Sequence, residues 1–299
     1  MSPNKNISKF QAWILAARPK TLLAAMVPVI VGCAFAKHDN KFAALPSAIA
    51  LLCSFLIQIG TNFTNDLFDF IKGADNNERV GPIRVLNEGL VSKKEMVFAI
   101  SLVFGTAFFS GLYLVYVGGV FILVIGILSI ISGIIYTAGP YPLAYNGLGD
   151  LFSFIFFGIV GTVGTYFVNT LQYSNQALLA SIPVGSLITA ILVVNNYRDI
   201  EQDRKSNKNT LAVKFGKVFS RNEYIGFFIL SYFIPTVLFF GFHSEFSIWI
   251  FLPYLSLPLA FKLIKLLFKL EGQELNKLLE LTAKFSAVFG VLLSLGAVL

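Results

Sequence analysis

Two short segments rich in asparagine and aspartate carry the residues of this chain that are best able to do chemistry. Asn65 and Asp69 stand four residues apart in the first segment, and Asn195 and Asp199 repeat that spacing in the second. Carboxylate and amide oxygens are hard ligands of the kind that Mg²⁺ prefers. Each segment ends a long apolar run, where an unpaired acid is costly in free energy. The spacing therefore predicts a metal site assembled from both segments.

Further acids extend the two segments. Residues four apart lie on one face of a helix, so the acids should form two stripes of ligands that face each other. The predicted metal ligands are Asn65, Asp66, Asp69, Asp75, Asn195, Asp199 and Asp203. For any single aspartate, capping a helix or pairing with an arginine is the commoner role. So many carboxylates at one membrane face favour Mg²⁺ as their common partner, and no cluster of histidines or cysteines competes for a metal.

Basic residues follow both acidic segments. They include Lys72, Arg79, Arg84, Arg198 and Lys208. Positive charge accumulates in cytoplasmic membrane loops in any case, so each residue alone is ambiguous. Beside a metal site, however, they predict a diphosphate held by metal bridging and by charge-assisted hydrogen bonds. The chain has no Gly-rich loop of the P-loop type, which argues against a nucleotide bound in that way.

The elements that must position these residues are membrane-spanning helices. The chain is 56% hydrophobic and only 13% charged, with a mean hydropathy of +0.74, which excludes an ordinary soluble enzyme. We predict an all-α polytopic membrane protein with nine transmembrane helices. The predicted spans are residues 21–36, 42–63, 97–117, 120–136, 151–168, 177–194, 224–242, 246–268 and 278–299.

The distribution of basic residues predicts the orientation in the membrane. Of the 23 lysines and arginines, all but Lys37 and Lys41 fall on one side of the predicted spans. Positive loops stay in the cytoplasm, so we expect a multi-pass protein of the cell (plasma or inner) membrane with a cytoplasmic N-terminus and an outer C-terminus. Both acidic segments would then face the cytoplasm. The loops account for the net charge of +7, so no nucleic-acid partner is expected.

Two parts of unequal size are expected along the chain. Residues 1–20 would form a cytoplasmic N-terminus with a short helix lying in the membrane interface, since apolar residues recur there at helical spacing. Residues 21–299 would form one integral domain in the lipid bilayer. Asp150, which opens the fifth predicted span, is expected to cap that helix, with contact to a substrate as the alternative.

The acidic segments also resemble a known family. Residues 65–75 and 196–203 resemble the two aspartate-rich motifs of the UbiA superfamily of intramembrane prenyltransferases. Residues 17–22, 72–75, 78–82, 136–143 and 278–283 are similar to its menaquinone branch, and the likeness runs from about residue 17 to the C-terminus. Many members of the superfamily have a third aspartate where this chain has Gly73, and Asp75 is the next acid. The menaquinone branch shares that displacement.

The resemblance implies a fold and an activity. The fold would be helices around a central cavity that opens near the cytoplasmic face. The activity would be Mg²⁺-dependent transfer of a polyprenyl group from polyprenyl diphosphate to 1,4-dihydroxy-2-naphthoate. The ring carboxylate would be lost as CO₂, giving demethylmenaquinol in menaquinone biosynthesis.

The resemblance also implies roles for individual residues. The stretch from residue 136 to 145 lacks the lysine that some relatives use against the diphosphate, so either Arg18, Lys20, Arg79, Arg84 and Lys208 supply that charge or fewer contacts suffice. The implied catalytic residues are Asp69, Asp199, Asp203, Tyr136 and Tyr145. The implied diphosphate-binding residues are Arg18, Lys20, Lys72, Arg79, Arg84, Arg198 and Lys208.

Two alternatives remain open from the sequence. One is a prenyltransferase of the same superfamily with another aromatic acceptor, such as 4-hydroxybenzoate or a chlorophyllide-like ring. The other is a cation-coupled secondary transporter, because intramembrane acids also mark ion pathways. A transporter predicts acids near the middle of spans and broken helices, whereas these acids stand at span ends.

Overall fold

The computed structural model describes residues 7–73, 84–242 and 245–299. Within these ranges the chain forms helices joined by turns, and no strand occurs in them. The α-helices are α1 (Lys9–Ala17), α2 (Pro19–His38), α3 (Ala44–Ile71), α4 (Lys93–Ile135), α5 (Gly149–Ser153), α6 (Gly161–Thr170), α7 (Asn175–Arg198), α8 (Ile200–Lys205), α9 (Leu211–Gly241), α10 (Leu257–Lys269) and α11 (Leu275–Val298). A π-helical segment joins α5 to α6, and the 3₁₀ segments are Ala144–Asn146, Ile248–Ser256 and Gly272–Glu274.

Spanning helices dominate the fold. In the described part of the chain, eight helical stretches are long and apolar enough to cross a membrane. This confirms the predicted all-α polytopic fold. The stretches are Pro19–His38, Ala44–Ile71, Lys93–Ile135, Gly149–Thr170, Asn175–Arg198, Leu211–Gly241, Ile248–Lys269 and Gly272–Val298.

One of these helices, α4, is too long for a single crossing. Its 43 residues would extend roughly 65 Å at 1.5 Å of rise per residue, about twice the hydrocarbon thickness of a bilayer. The helix is interrupted at Gly119, whose φ of 71° and ψ of −165° are not helical. A positive φ of this size is costly for residues with a Cβ atom, so glycine is the residue that fits the bend.

The two ends of α4 lie at the same end of the bundle. At its start, Met96 packs in one cluster with Leu67, near the C-terminal end of α3. Just past its other end, the Thr137 backbone oxygen accepts a hydrogen bond from Lys72 Nζ at 2.7 Å, beside that same end of α3. The helix therefore folds back at Gly119 into two antiparallel arms. These arms match the third and fourth predicted spans, and nine crossings remain a prediction that this arrangement supports.

Helix α7 lies at the centre of the bundle. It packs against α9, α11, α2 and the π-helical segment Phe154–Val160, and it is the most buried of the spanning helices described. Close approach to the π-helical segment depends on Gly158 and Gly185, since a Cβ atom added to Gly158 would lie 2.7 Å from Gly185 Cα. Such burial holds the C-terminal end of α7, which carries the second acidic segment, in a fixed position.

The first described helix, α1, packs against α3 near the first acidic segment. Ser8 and Gln11 form a capping box at its start, with Ser8 N donating to Gln11 Oε1 at 2.9 Å. Ala12 and Ala16 are fully buried in the cluster that contains Leu67, whereas Phe10 faces outward. This helix occupies the region where an interfacial helix is predicted, and its position in a membrane interface stays a prediction.

Candidate active site

The two acidic segments meet at one cavity. This cavity has a volume of about 1400 Å³ and lies among α2, α3, α4, α6, α7 and α11. Its polar end is lined by Arg18, Lys20, Asn65, Asp69, Arg84, Tyr136, Asn195, Asn196, Arg198, Asp199, Asp203 and Lys208. The rest is lined mainly by apolar side chains, among them Phe152, Phe156 and Phe157. The predicted stripes of ligands therefore open into the same space.

The first stripe is oriented by residues from outside α3. Asp69, which is 5% exposed, accepts a hydrogen bond at Oδ1 from the Tyr145 hydroxyl at 2.9 Å. Its Oδ2 accepts one from Arg84 Nη2 at 3.2 Å. One helical turn earlier, Asn65 Oδ1 accepts a hydrogen bond from the Thr137 hydroxyl at 2.9 Å. Asn65 and Asp69, two of the predicted ligands of this stripe, are thus held in fixed orientations.

Asp66 has different surroundings from its two neighbours in the motif. It is 2% exposed and is not among the residues that line the cavity. Its Oδ1 accepts hydrogen bonds from both Arg18 Nη2 and Arg84 Nη1. Arg84 also reaches Asp69, so it bridges the two acids. Asp66 therefore anchors two arginines at the edge of the cavity.

The second stripe is held by an arginine that lies within it. Arg198 Nε and Nη2 donate to the two carboxylate oxygens of Asp199 at 2.7 and 2.6 Å, a bidentate pair. Nη2 also donates to Asn195 Oδ1 at 2.8 Å, and Nη1 donates to Asn276 Oδ1 at 2.6 Å. Two predicted ligands thus share one guanidinium, which is tied to α11 by Asn276.

Asp203 completes this stripe from the short helix α8. It is 5% exposed, its Oδ1 lies 3.5 Å from Lys208 Nζ, and its Oδ2 is buried without a hydrogen-bond partner in the described structure. Burial, opposed by Lys208 and reinforced by Asp199 and Asp69, raises the pKa of Asp203 to about 6. Asp69 and Asp203 line the same cavity, so the two stripes meet at its polar end.

Tyr136 and Tyr145 begin and nearly end the connection between α4 and α5. Tyr136 lines the cavity, whereas Tyr145 lies behind Asp69 and donates to it. Burial, followed by the charge and hydrogen bond of Asp69, raises the pKa of Tyr145, so its hydroxyl stays protonated as a donor. Lys72 Nζ lies 4.3 Å from the Tyr145 ring centroid. Lys72 is not among the cavity-lining residues, and its charge is placed against this ring.

Four other residues named from the sequence have distinct outcomes. Asp75 and Arg79 lie outside the described residues. Lys20 lies at the cavity edge, where its Nζ is 2.5 Å from Glu280 Oε2. The prediction that Asp150 caps the fifth span is wrong, because Leu148 precedes the helix in an αR conformation and Asp150 lies within the first turn. An N-cap side chain acts from an extended backbone, which this helix entry lacks.

The oxygen-rich donor set fits a hard divalent cation. In the ranges that the structure describes, no three His, Cys, Asp or Glu side chains are close enough to hold one ion. The donors present are nevertheless all carboxylate or amide oxygens, and Asp203, which lines the same cavity, has a buried Oδ2 without a hydrogen-bond partner in the described structure. Such donors suit Mg²⁺, which keeps several waters and uses few protein ligands. Arg84 and Arg198 would have to leave Asp69 and Asp199 when an ion binds.

A polar face of α11 was missed by the sequence reasoning. The residues on it that line the cavity are Asn276, Lys277, Glu280 and Lys284, and Gln273 lines it just before the helix. Asn276, Glu280 and Lys284 stand four residues apart and Lys277 stands three before Glu280, which places them on one side of the last helix. This spacing is the signal that could have revealed them, but hydropathy alone treats the segment as the charged start of an apolar run.

Comparison with known proteins gives relatives along the whole chain. A 1,4-dihydroxy-2-naphthoate octaprenyltransferase of Escherichia coli (strain K12) is 35% identical over 301 residues, covering 98% of this chain and 96% of that protein. A 1,4-dihydroxy-2-naphthoate octaprenyltransferase of Bacillus subtilis (strain 168) is 32% identical over 299 residues, covering 99% and 94%.

Solved structures and a family description agree with these relatives. The fold is similar to that of a UbiA homolog from Aeropyrum pernix K1, with a TM-score of 0.72, 13% identity, and coverage of 92% of this chain and 97% of that one. The fold is also similar to that of a UbiA homolog from Archaeoglobus fulgidus bound to DMAPP and Mg²⁺, with a TM-score of 0.68 and 16% identity. That match covers 96% of this chain and 98% of the other. The description of the UbiA prenyltransferase family matches residues 25–287. The chain therefore belongs to the UbiA prenyltransferase family.

Proposed function

We propose that this chain transfers a polyprenyl group from polyprenyl diphosphate to 1,4-dihydroxy-2-naphthoate, giving demethylmenaquinol for menaquinone biosynthesis. The observation that carries the proposal is that both acidic stripes, together with Arg84 and Arg198, line the polar end of one largely apolar cavity. Relatives that carry this activity in their names are 32–35% identical over almost the entire chain, which supports the choice of acceptor.

The acidic stripes are proposed to hold Mg²⁺. The oxygens would come from Asn65, Asp69, Asn195, Asp199 and Asp203, which line the cavity. Asp75 is retained in the proposed set, and Asp66 would act through the two arginines that it binds. When bound, Mg²⁺ supplies positive charge that neutralises the departing diphosphate.

The basic residues at the polar end are proposed to bind the diphosphate. Those that line the cavity are Arg18, Lys20, Arg84, Arg198 and Lys208. Arginine can bind a phosphate through two parallel hydrogen bonds, so Arg84 and Arg198 are suited to exchange a carboxylate for a diphosphate oxygen. Lys72 and Arg79 would contribute charge from the adjoining loop.

The apolar part of the cavity is proposed to hold the polyprenyl tail and to exclude water. The C–O bond to the diphosphate breaks, its electron pair leaves with the diphosphate, and an allylic cation forms. The aromatic ring attacks this cation to form a C–C bond, and the ring carboxylate then leaves as CO₂, returning its electron pair to the ring. Aromatic faces such as Tyr136, Phe152 and Phe156 can stabilise the cation while it exists.

The proposed setting is the cell membrane. Residues 21–299 would form one integral domain with the polar end of the cavity on the cytoplasmic side. Residues 1–20 would lie at that same surface, and the C-terminus would lie outside. The positive-inside pattern of the loops supports this orientation.

An acceptor panel tests the proposal. Membranes containing the chain would be supplied with radiolabelled polyprenyl diphosphate and either 1,4-dihydroxy-2-naphthoate or 4-hydroxybenzoate. We expect a labelled product and CO₂ release only with the naphthoate, loss of product with EDTA, and recovery with Mg²⁺. Asp69→Ala and Asp199→Ala should each lower turnover by roughly 100-fold or more, because each removes charge stabilisation of the leaving group.

Asp39→Asn is the matched control. Asp39 follows the far end of α2, where it accepts a hydrogen bond from the Tyr166 hydroxyl, so its loss should leave turnover nearly unchanged. Turnover that is insensitive to EDTA, or equal in the Asp69 and Asp199 variants and the wild type, would refute the mechanism. A product formed only from 4-hydroxybenzoate would refute the acceptor.

A further inference from the structure

Helix α3 carries polar side chains into the cavity well beyond its acidic end. Ser54, Gln58, Thr61 and Asn62 all line the cavity. By helix rise, Gln58 lies about 10 Å deeper along the axis than Asn65. A polyprenyl tail has no hydrogen-bond donor or acceptor, so it cannot account for polar groups at this depth.

Two of these polar groups are explained by the protein itself. The Ser54 hydroxyl donates to the Ala25 backbone oxygen at 2.7 Å. The Thr61 hydroxyl donates to the Ile57 backbone oxygen at 2.8 Å. Side chains that are satisfied in this way stabilise helix packing and need no ligand.

Gln58 differs, because a series of hydrogen bonds fixes the orientation of its amide and shows which of its polar atoms has no partner within the described ranges. Asn62 Nδ2 donates to the Ala17 backbone oxygen at 3.0 Å, so the opposite atom, Asn62 Oδ1, must be the acceptor. Gln58 Nε2 donates to that oxygen at 3.2 Å and to the Thr21 hydroxyl at 3.4 Å.

The carbonyl oxygen of Gln58 is the atom that is left. Gln58 Nε2 has two hydrogens and lies within hydrogen-bond distance of two protein acceptors. No donor in the described part of the chain reaches Gln58 Oε1, and the side chain lines the cavity. Gln58 therefore presents a fixed acceptor, which water satisfies in the empty cavity, and a bound ligand must replace that water with a donor of its own.

Building on the proposed function, we infer that Gln58 Oε1 accepts a hydrogen bond from the 4-hydroxyl group of the naphthoate. Neither the isoprenoid tail nor an ionised diphosphate is a donor, whereas a phenolic hydroxyl is. The ring carboxylate and its neighbouring hydroxyl belong near the basic residues at the polar end. The remaining hydroxyl then points deeper, toward Gln58. Residue 58 thus determines specificity for the aromatic substrate.

The test compares two ligands that differ only in this hydroxyl. The KM for 1,4-dihydroxy-2-naphthoate and the inhibition constant of 1-hydroxy-2-naphthoate would be measured for the wild type and for Gln58→Leu. We expect the KM to rise roughly tenfold and the inhibition constant to stay within about twofold, since the analogue has no 4-hydroxyl to lose. The KM for polyprenyl diphosphate should also stay within about twofold.

Further variants keep the result interpretable. Gln58→Met preserves the length of the side chain without its carbonyl and should behave like Gln58→Leu. Ser54→Ala, one turn deeper on the same face, should change none of the three constants, because its hydroxyl already bonds to Ala25. Equal effects on diol and analogue, or no effect on either, would overturn the role of Gln58. If the wild type cannot prenylate 1,4-dihydroxy-2-naphthoate, the proposed function is itself wrong. If the wild type can do so but the Gln58 variants show no selective effect, only the role of Gln58 is wrong.

Discussion

At the scale of single residues, Asp69 and Asp199 are each held by hydrogen bonds from protein side chains, distant in sequence for Asp69 and adjacent for Asp199. Tyr145 and Arg84 fix Asp69 from opposite sides, through one carboxylate oxygen each. Arg198 fixes Asp199 through both oxygens. Orientation by such neighbours matters in a metal site, because outer partners set the position of the ligand atoms.

Removing the Tyr145 hydroxyl should weaken the proposed site without unfolding the protein. Tyr145→Phe leaves Asp69 Oδ1 without its donor at 2.9 Å. A hydrogen bond to a charged group contributes about 1.5–3 kcal/mol, so we expect at least a tenfold loss in turnover per KM for polyprenyl diphosphate. The Mg²⁺ concentration for half-maximal turnover should rise, and the melting temperature should stay nearly constant.

Tyr141→Phe provides the control for this substitution. Tyr141 lies in the same connection but is 63% exposed. Its loss should leave turnover, Mg²⁺ dependence and melting temperature unaltered. If the two variants behaved alike, the Tyr145 hydrogen bond would have no part in orienting Asp69.

The sequence identified the acids, but it could not identify their partners. Spacing in a helix predicts which side chains share a face, and Asp69 and Asn65 do open into the cavity together. The bonds from Tyr145 and Arg84 join residues far apart in the chain, which local spacing does not encode. Asp66 is an example of what local spacing cannot predict. It binds Arg18 and Arg84, and this pairing is visible only once α1 and residue 84 are placed against α3.

At the scale of helices, the spanning helices extend beyond their apolar runs, and in α3 this extension carries an acidic residue of the site. Hydropathy predicted that the seventh span begins at residue 224, but α9 begins at Leu211. It likewise predicted that the second span ends at residue 63, whereas α3 continues to Ile71 and carries Asp69 in its final turn. Apolar runs mark only the part of a helix that is compatible with lipid, so they underestimate helices that project into a polar end.

The contact between the π-helical segment and α7 gives a prediction at this scale. In Gly158→Ala, the new Cβ atom would lie 2.7 Å from Gly185 Cα and 2.9 Å from the Ser181 backbone oxygen. Neither backbone atom can rotate away, so we expect a loss of about 1–3 kcal/mol in stability and a lower melting temperature in detergent.

Gly164→Ala is the matched control, because a Cβ atom there meets nothing within 4 Å. This variant should melt at or above the wild-type temperature, since alanine favours a helix by up to about 1 kcal/mol over glycine. Equal melting temperatures for Gly158→Ala and wild type would show that the two helices can separate at no cost.

At the scale of the whole molecule, the two ends of the described chain lie at opposite ends of the bundle. Near the N-terminus, Lys9 Nζ donates to the Leu90 backbone oxygen, at the end that carries the acidic segments. At the C-terminus, the Ala297 backbone oxygen lies 2.8 Å from His38 Nδ1, at the far end of α2. Opposite ends require an odd number of crossings, and the eight spanning stretches of the described residues give nine if α4 crosses twice, as its interruption at Gly119 allows.

Reporter fusions can count these crossings. Alkaline phosphatase, which is active only outside the cytoplasm, would be fused after Gly118, after Gly139 and after Leu299. We expect activity at the first and third positions and none at the second, because the two arms of α4 run in opposite directions. A green fluorescent protein series should give the reverse pattern. The same result at Gly118 and Gly139 would refute the fold-back.

The pairing of Arg84 and Arg198 with the acids has a thermodynamic consequence for the proposed reaction. While a guanidinium holds Asp69 or Asp199, the carboxylate is neutralised and has little attraction for a stray cation. An anion that draws the arginines away exposes the carboxylates, and a cation that takes the carboxylates frees the arginines. Each ligand must then raise the affinity for the other by the same factor. The site would thus bind the cation and the anion cooperatively. In their absence, Arg84 and Arg198 neutralise the carboxylates that would bind the metal.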